Sequence, residues 1–135
     1  MHISKVLGGF GVLTYLPLAL LAQGLAVLCE DDSQFKDVSI SELKQLIAKK
    51  GATIVDVNSK ASFAKAHVTG AVHFGSNAER FETVLPKDKS TLIVAYCGGP
   101  ECTAWKKAAI KACELGYTNV RHFSGGIQGW TKQKS

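Results

Sequence analysis

The stretch Thr91-Leu92-Ile93-Val94-Ala95-Tyr96-Cys97-Gly98-Gly99-Pro100-Glu101-Cys102-Thr103 decides how this chain is read. The run up to Tyr96 is the most apolar of the strand-like runs, the pattern of a strand buried at the centre of a sheet. From Thr103 to Leu115, the residues Ala108, Ala109, Ala112 and Leu115 fall on one helical stripe, and Gly116 stops it. So a cysteine ends a strand, a glycine-rich loop follows, and a helix opens at once. Thiolate is the reactive form of cysteine, and free N–H groups at a helix start stabilise it. Two glycines after Cys97 let the backbone curl so that N–H groups face the sulfur or an anion bound to it. A cysteine in a generic strand is more often a small core hydrophobe. The Gly98-Gly99-Pro100 loop and the helix behind it favour a reactive Cys97.

Outward from this stretch, helices and strands alternate. Ser39-Ile40-Ser41-Glu42 has the spacing of a capping box, and Ile40, Leu43, Leu46 and Ile47 then follow helical periodicity up to Gly51. Thr53 to Val57 reads as a β-branched strand with Asp56 near its end. Ser59 to Ala66 and Asn77 to Val84 read as short helices, and Ala71 to Phe74 as a strand between them. Asn119 to Phe123 is a last strand, followed by Gly125-Gly126 and a terminal turn with Trp130. Strands linked by helices predict a parallel sheet covered on both faces, with reactive groups at the carboxyl ends of the strands. Cys97 and Asp56 both stand at such ends.

The length of 135 residues suits one domain. At 46% apolar and 20% charged, the composition is that of a globular protein. Beyond residue 29 there are 15 basic and 11 acidic residues, a scattered excess of +4. That suits a small anionic substrate and gives no basic stripe with interleaved aromatics, so no nucleic-acid partner is expected. From Val6 to Cys29 no residue is charged, whereas Lys5 precedes and Glu30-Asp31-Asp32 follow. Residues 1–26 therefore read as a secretory signal, with Gly24-Leu25-Ala26 or Ala22-Gln23-Gly24 as the cleavage region, or as an uncleaved anchor. The expected organisation is a leader over 1–26, a linker over 27–37, a domain over 38–130 and a tail over 131–135. The expected location is periplasmic or secreted, with membrane contact only through the leader.

Outside the cytosol thiols tend to pair. Cys29, Cys97, Cys102 and Cys113 permit two bridges, but their spacing has no regular framework, nor does it suit a zinc site with His67 or His73. No metal or other cofactor is expected. Cys113 is read as packing at the edge of its helix stripe. Cys102 is placed in packing ahead of pairing with Cys97, although a curled loop would allow the pair.

The residues resemble a rhodanese domain. Ile54-Val55-Asp56-Val57 with Phe63 and His67-Val68-Thr69-Gly70-Ala71 is similar to the family's first signature. Tyr96-Cys97 with its loop resembles the active-site segment. Leu115-Gly116-Tyr117-Thr118-Asn119-Val120 and Gly125-Gly126-Ile127-Gln128-Gly129-Trp130 resemble the closing signature. The resemblance implies a five-stranded parallel sheet with helices on both faces, and a cysteine that carries a sulfane sulfur as a persulfide. It implies a donor such as thiosulfate and a thiol or other thiophilic acceptor. Cys97 would be the nucleophile, and Gly98, Gly99, Glu101, Cys102 and Thr103 the loop that binds the donor. The sequence departs from the family at Asn58, where Arg is common, at Thr69, where Pro is usual, and at Glu101 and Cys102, where a basic or hydroxyl residue is common. Pro100 has no N–H to offer the loop. Lys106 and Lys107 would offset the charge of Glu101.

His67 is read as ordering the loop before a strand, His73 and His122 as surface or edge residues, and Asp56 as tying backbone. Trp105 and Trp130 are read as packing. Two other functions compete with sulfur transfer. One is a thiol redox protein using Cys97 and Cys102; the other is a binding module on the same fold. A phosphatase is disfavoured, because the loop has no Arg to hold a phosphate.

Overall fold

A computed structural model describes residues 29–134. The leader expected over residues 1–26 lies outside the described residues.

Ser39 caps helix α1 (Ile40–Ala48), with its Oγ accepting the Glu42 N–H at 3.1 Å. The carboxylate of Glu42 does not close a capping box; it pairs with the Arg121 guanidinium at 2.6 Å. Strand β1 (Thr53–Asp56) leads to α2 (Lys60–Lys65), capped by Ser59. Strand β2 (Val72–His73), a one-turn helix α3 (Phe74–Asn77) and a 3-10 helix over Ala78–Val84 follow. Strand β3 (Ile93–Tyr96), helix α4 (Trp105–Glu114), strand β4 (Val120–His122) and helix α5 (Gly126–Lys132) complete the chain. Each strand that the residue pattern located is present, shortened by one or two residues at its ends.

All strand pairs are parallel, in the order β2-β1-β3-β4. The four strands correct the expected five. Beyond β4 the described residues offer only one bridge, Asp37 to His122. There Val38 N–H donates to His122 O at 2.7 Å and His122 N–H to Lys36 O at 3.1 Å. The Asp37 carboxylate takes the Ser124 N–H at 2.9 Å, and at Ser39 the chain turns into α1, so this segment never lengthens into a strand.

Alternation along each strand divides the core in two. Ile54, Val94 and Tyr96 face one side and pack with Leu43 of α1 and Trp130 of α5. Val55, Ile93, Ala95 and Cys97 face the other, against Trp105, Ala108 and Ala112 of α4. Small residues on α4 let that helix lie close to the sheet, and Cys97 belongs to its layer.

From Cys29 onward the segment read as a linker is docked on α4. Phe35 is buried and meets Trp105 edge-on at 6.0 Å. Asp32 forms an ion pair with Lys106. Cys29 is bonded to Cys113, with Cα atoms 5.7 Å apart. This corrects the reading of Cys113 as packing only. Cys113 stands two turns beyond Lys106 on the same face of α4, and the docked segment lays Cys29 against that face. The signal was hidden in the sequence, because the two cysteines are 84 positions apart.

Candidate active site

The strand order reverses between β1 and β3, and the crevice at such a reversal is where an open parallel sheet binds ligands. Asn58 lies just past the end of β1, and Cys97 just past the end of β3. Parity sends the Cys97 side chain to the α4 side, in line with Ile93 and Ala95.

The loop after Cys97 is held from below by α5. Ile127 N–H donates to Cys97 O at 2.9 Å, and Gln128 N–H donates to Gly98 O at 3.0 Å. In a trans peptide the C=O and the following N–H point opposite ways. The N–H groups of Gly98 and Gly99 are therefore turned away from α5. This contact depends on Gly126, which has φ +59°. A Cβ there would stand 2.6 Å from Gly98 C and 2.7 Å from Cys97 O. No side chain could be fitted at that point without moving the loop.

Cys102 N–H donates to Gly99 O at 3.1 Å, closing a tight turn around Pro100 and Glu101. The turn brings the Cα atoms of Cys97 and Cys102 to 6.3 Å, and the two sulfurs are bonded. That corrects the expectation that Cys102 packs instead of pairing. The geometric reason is the turn itself, which places the Cα atoms within bridging range. Cys97 is only 2% exposed, whereas Cys102 is half-buried. Gly98 is half-buried and Gly99 buried, and Glu101 and Thr103 are exposed. Of the two lysines expected to offset Glu101, Lys106 is already paired with Asp32, and Lys107 is exposed. No side chain caps the start of α4.

Around the loop stand further polar and aromatic groups. Asn58 donates its backbone N–H to Asp56 Oδ1 at 2.7 Å, and its Oδ1 lies 3.9 Å from where a Cβ on Gly98 would sit. Its Nδ2 is buried without a hydrogen-bond partner. Gln128 lies over Gly99, with Oε1 2.5 Å from a Cβ built there. Trp105 stacks on His122 at 3.7 Å between centroids and 11° between planes, just behind the loop. Burial holds the His122 pKa below its usual value, against the pull of Asp37 and with a small push from Lys106. Position next to the strand ends was the available signal for Asn58 and His122. Nothing in the sequence signalled the reach of Gln128.

The remaining polar residues are structural. Tyr96 OH donates to Asp56 Oδ2 at 2.5 Å and accepts the Val68 N–H at 2.9 Å. Burial, then the bond to Asp56, pushes the Tyr96 pKa far up. His67 Nδ1 bonds Phe63 O at 2.7 Å, ordering the loop before β2 as expected. His73 is on the edge strand but only 7% exposed. Its Nδ1 accepts the Ser76 N–H at 3.2 Å, so its proton sits on Nε2 and is donated to Asn58 O at 2.8 Å. His73 thus braces the corner that carries Asn58. Among the described residues no group of three His, Cys, Asp or Glu side chains could hold a metal ion.

The chain is a parallel α/β sheet with a cysteine loop at its switch point, seated on the next helix but one. The chain belongs to the rhodanese-like domain family, whose model matches residues 39–133. The chain is 30% identical over 99 residues to the thiosulfate sulfurtransferase GlpE of Shewanella oneidensis, covering 73% of this chain and 94% of that protein. It is 29% identical over 99 residues to the GlpE of Tolumonas auensis, covering 73% of this chain and 90% of that protein. The BH2092 protein of Bacillus halodurans superposes with a TM-score of 0.63 at 27% identity, covering 89% of this chain and 84% of that one. The human single-domain sulfurtransferase TSTD1 shares the fold, with a TM-score of 0.58 at 23% identity over 73% of this chain and 97% of its own.

Proposed function

We propose that the protein is a sulfurtransferase acting outside the cytoplasm, which carries a sulfane sulfur on Cys97. One observation bears most of this reading. Cys97 stands at the switch point of the sheet, in a loop whose carbonyls are occupied by Ile127 and Gln128. The loop N–H groups turned away from α5 are then available to a charged sulfur. Relatives named thiosulfate sulfurtransferase support the donor class.

The reaction begins from the reduced loop, so a thiol must first open the Cys97–Cys102 bridge. The Cys97 thiolate attacks the outer sulfur of the donor. A new S–S bond forms, the donor's S–S bond breaks, and with thiosulfate the sulfite leaves with the electron pair. A thiophile then attacks the outer sulfur of the persulfide and releases the Cys97 thiolate. Splitting one transfer into two lowers each barrier. N–H groups fixed beforehand stabilise the charged sulfur at both stages. The exposed Glu101 faces solvent and leaves the donor's approach to the loop backbone.

Two observations support export. One is the uncharged stretch from Val6 to Cys29 behind Lys5. The other is that all four cysteines are in bridges, which persist in oxidising compartments.

The test is thiosulfate:cyanide sulfurtransferase activity of the reduced protein beside Cys97→Ser. The variant should lose all activity and keep the parent's circular dichroism. Activity equal to the parent's would remove Cys97 from the reaction.

A further inference from the structure

We propose that Cys102 is a resolving thiol and that the protein reduces sulfane sulfur to hydrogen sulfide. The proposal rests on sulfur loading at Cys97, and extends it by a second chemical step inside one loop.

The loop geometry carries the proposal. The Cys102 sulfur is bonded to the Cys97 sulfur in the folded protein, with no free cysteine elsewhere among the described residues. Cys102 therefore reaches the inner sulfur of a Cys97 persulfide, the atom that a transfer reaction leaves alone. Cys97 is 2% exposed with Cys102 bonded to it, so Cys102 is the thiol already in contact with that atom. A tethered thiol on so short a loop acts at an effective concentration far above that of thiols in solution.

The bridge is not required to hold the loop. Ile127, Gln128 and the Cys102–Gly99 turn already fix its backbone. A bridge between residues five apart also removes less chain entropy from the unfolded state than the bridge across 84 positions. The pair is placed for chemistry instead.

The cycle balances. In the first step Cys97 takes the sulfane sulfur and the donor's leaving group departs with the electron pair. In the second, the Cys102 thiolate attacks the Cys97 Sγ. The Cys97–Cys102 bond forms and the bond to the outer sulfur breaks. The outer sulfur leaves with the electron pair and takes up the proton that Cys102 lost, departing as hydrosulfide. The sulfane sulfur is reduced and the two thiols are oxidised. A dithiol protein or small-molecule thiol then restores the pair. Its attack falls on the Cys102 sulfur, the more exposed of the two, and expels Cys97 as thiolate. The burial difference thus sets where the reductant attacks: Cys102 receives the electrons.

The experiment uses full-length protein, reduced with a dithiol, freed of reductant under anaerobic conditions, and given thiosulfate. Sulfite and sulfide are measured, with intact mass, for the parent, Cys102→Ser and Cys97→Ser. The parent should release one equivalent each of sulfite and sulfide, and end two hydrogens lighter than the reduced form. Cys102→Ser should release sulfite without sulfide and gain the mass of one sulfur atom. A parent that releases sulfite, keeps the added sulfur and yields no sulfide overturns the resolving role while leaving sulfur transfer intact. Sulfide from Cys102→Ser equal to the parent's overturns it as well. Sulfite from none of the three proteins overturns sulfur loading, and the proposal with it.

Discussion

Gly126→Ala is the substitution that most sharply separates the seat of the loop from the rest of the fold. At φ +59° an alanine sits in the left-handed region, which costs about 1–2 kcal/mol. Its Cβ would also meet backbone atoms of Cys97 and Gly98 at 2.6–2.7 Å, and backbone cannot rotate away as a side chain can. The start of α5 must move off the loop, which breaks the Ile127–Cys97 and Gln128–Gly98 hydrogen bonds. At about 1 kcal/mol for each bond, the total is about 3–4 kcal/mol. Gly70 provides the matched control, because its φ is +77° and a Cβ there meets nothing within 4 Å. Gly70→Ala should lose the conformational part alone, about 1–2 kcal/mol. In thermal melts of a domain this size the two variants should fall by roughly 15–25 °C and 5–10 °C. Sulfur loading from thiosulfate, measured below both transitions, should drop in Gly126→Ala and stay at the parent level in Gly70→Ala. Equal melting temperatures for the two variants, with parent-level loading in both, would refute the reasoning.

The remaining predictions concern the second bridge and pH. Cys29→Ser opens a bridge across 84 positions, for which chain entropy gives a loss of about 4–5 kcal/mol. Urea unfolding should show that loss, with sulfur loading on the surviving fold unchanged; a midpoint equal to the parent's would show the docked segment to be energetically idle. His122 binds its proton less readily in the fold than in the unfolded chain, whose value is 6.5. The unfolded chain therefore holds more protons as pH falls through 6.5, and folding stability declines on acidification until the folded group itself titrates. Melts of the parent and His122→Gln at pH 7.5 and pH 5.5 should show a smaller acid loss in the variant; the same loss in both would place the acid sensitivity elsewhere.

The position of Cys97 was legible because three local signals agree there: an apolar run, two glycines and a helical stripe. Those signals also fixed the strand-helix alternation, and the Ser39 cap is where the spacing placed it. What was not legible depended on distance in sequence. Cys29 meets Cys113 only because Phe35 and Asp32 dock on α4. Glu42, placed by spacing to close a capping box, is drawn off by Arg121, which comes from the other end of the chain. The fifth strand failed at Asp37, whose side chain bonds Ser124 and stops the pairing after one bridge. Cys102 was a nearer miss. A turn through Gly99 and Pro100 either splays its side chain outward or folds it onto Cys97, and residue types alone do not choose between them. The Cys102–Gly99 hydrogen bond does.

The central claim is that Cys97 holds the sulfur. Reduced Cys102→Ser protein, which lacks the second thiol, should be loaded with thiosulfate, alkylated without reductant, digested and mapped by mass spectrometry. The added sulfur should be found on the peptide bearing Cys97 and nowhere else. An added sulfur on another residue, or none on any peptide after loading, would contradict the assignment of Cys97 as the sulfur carrier.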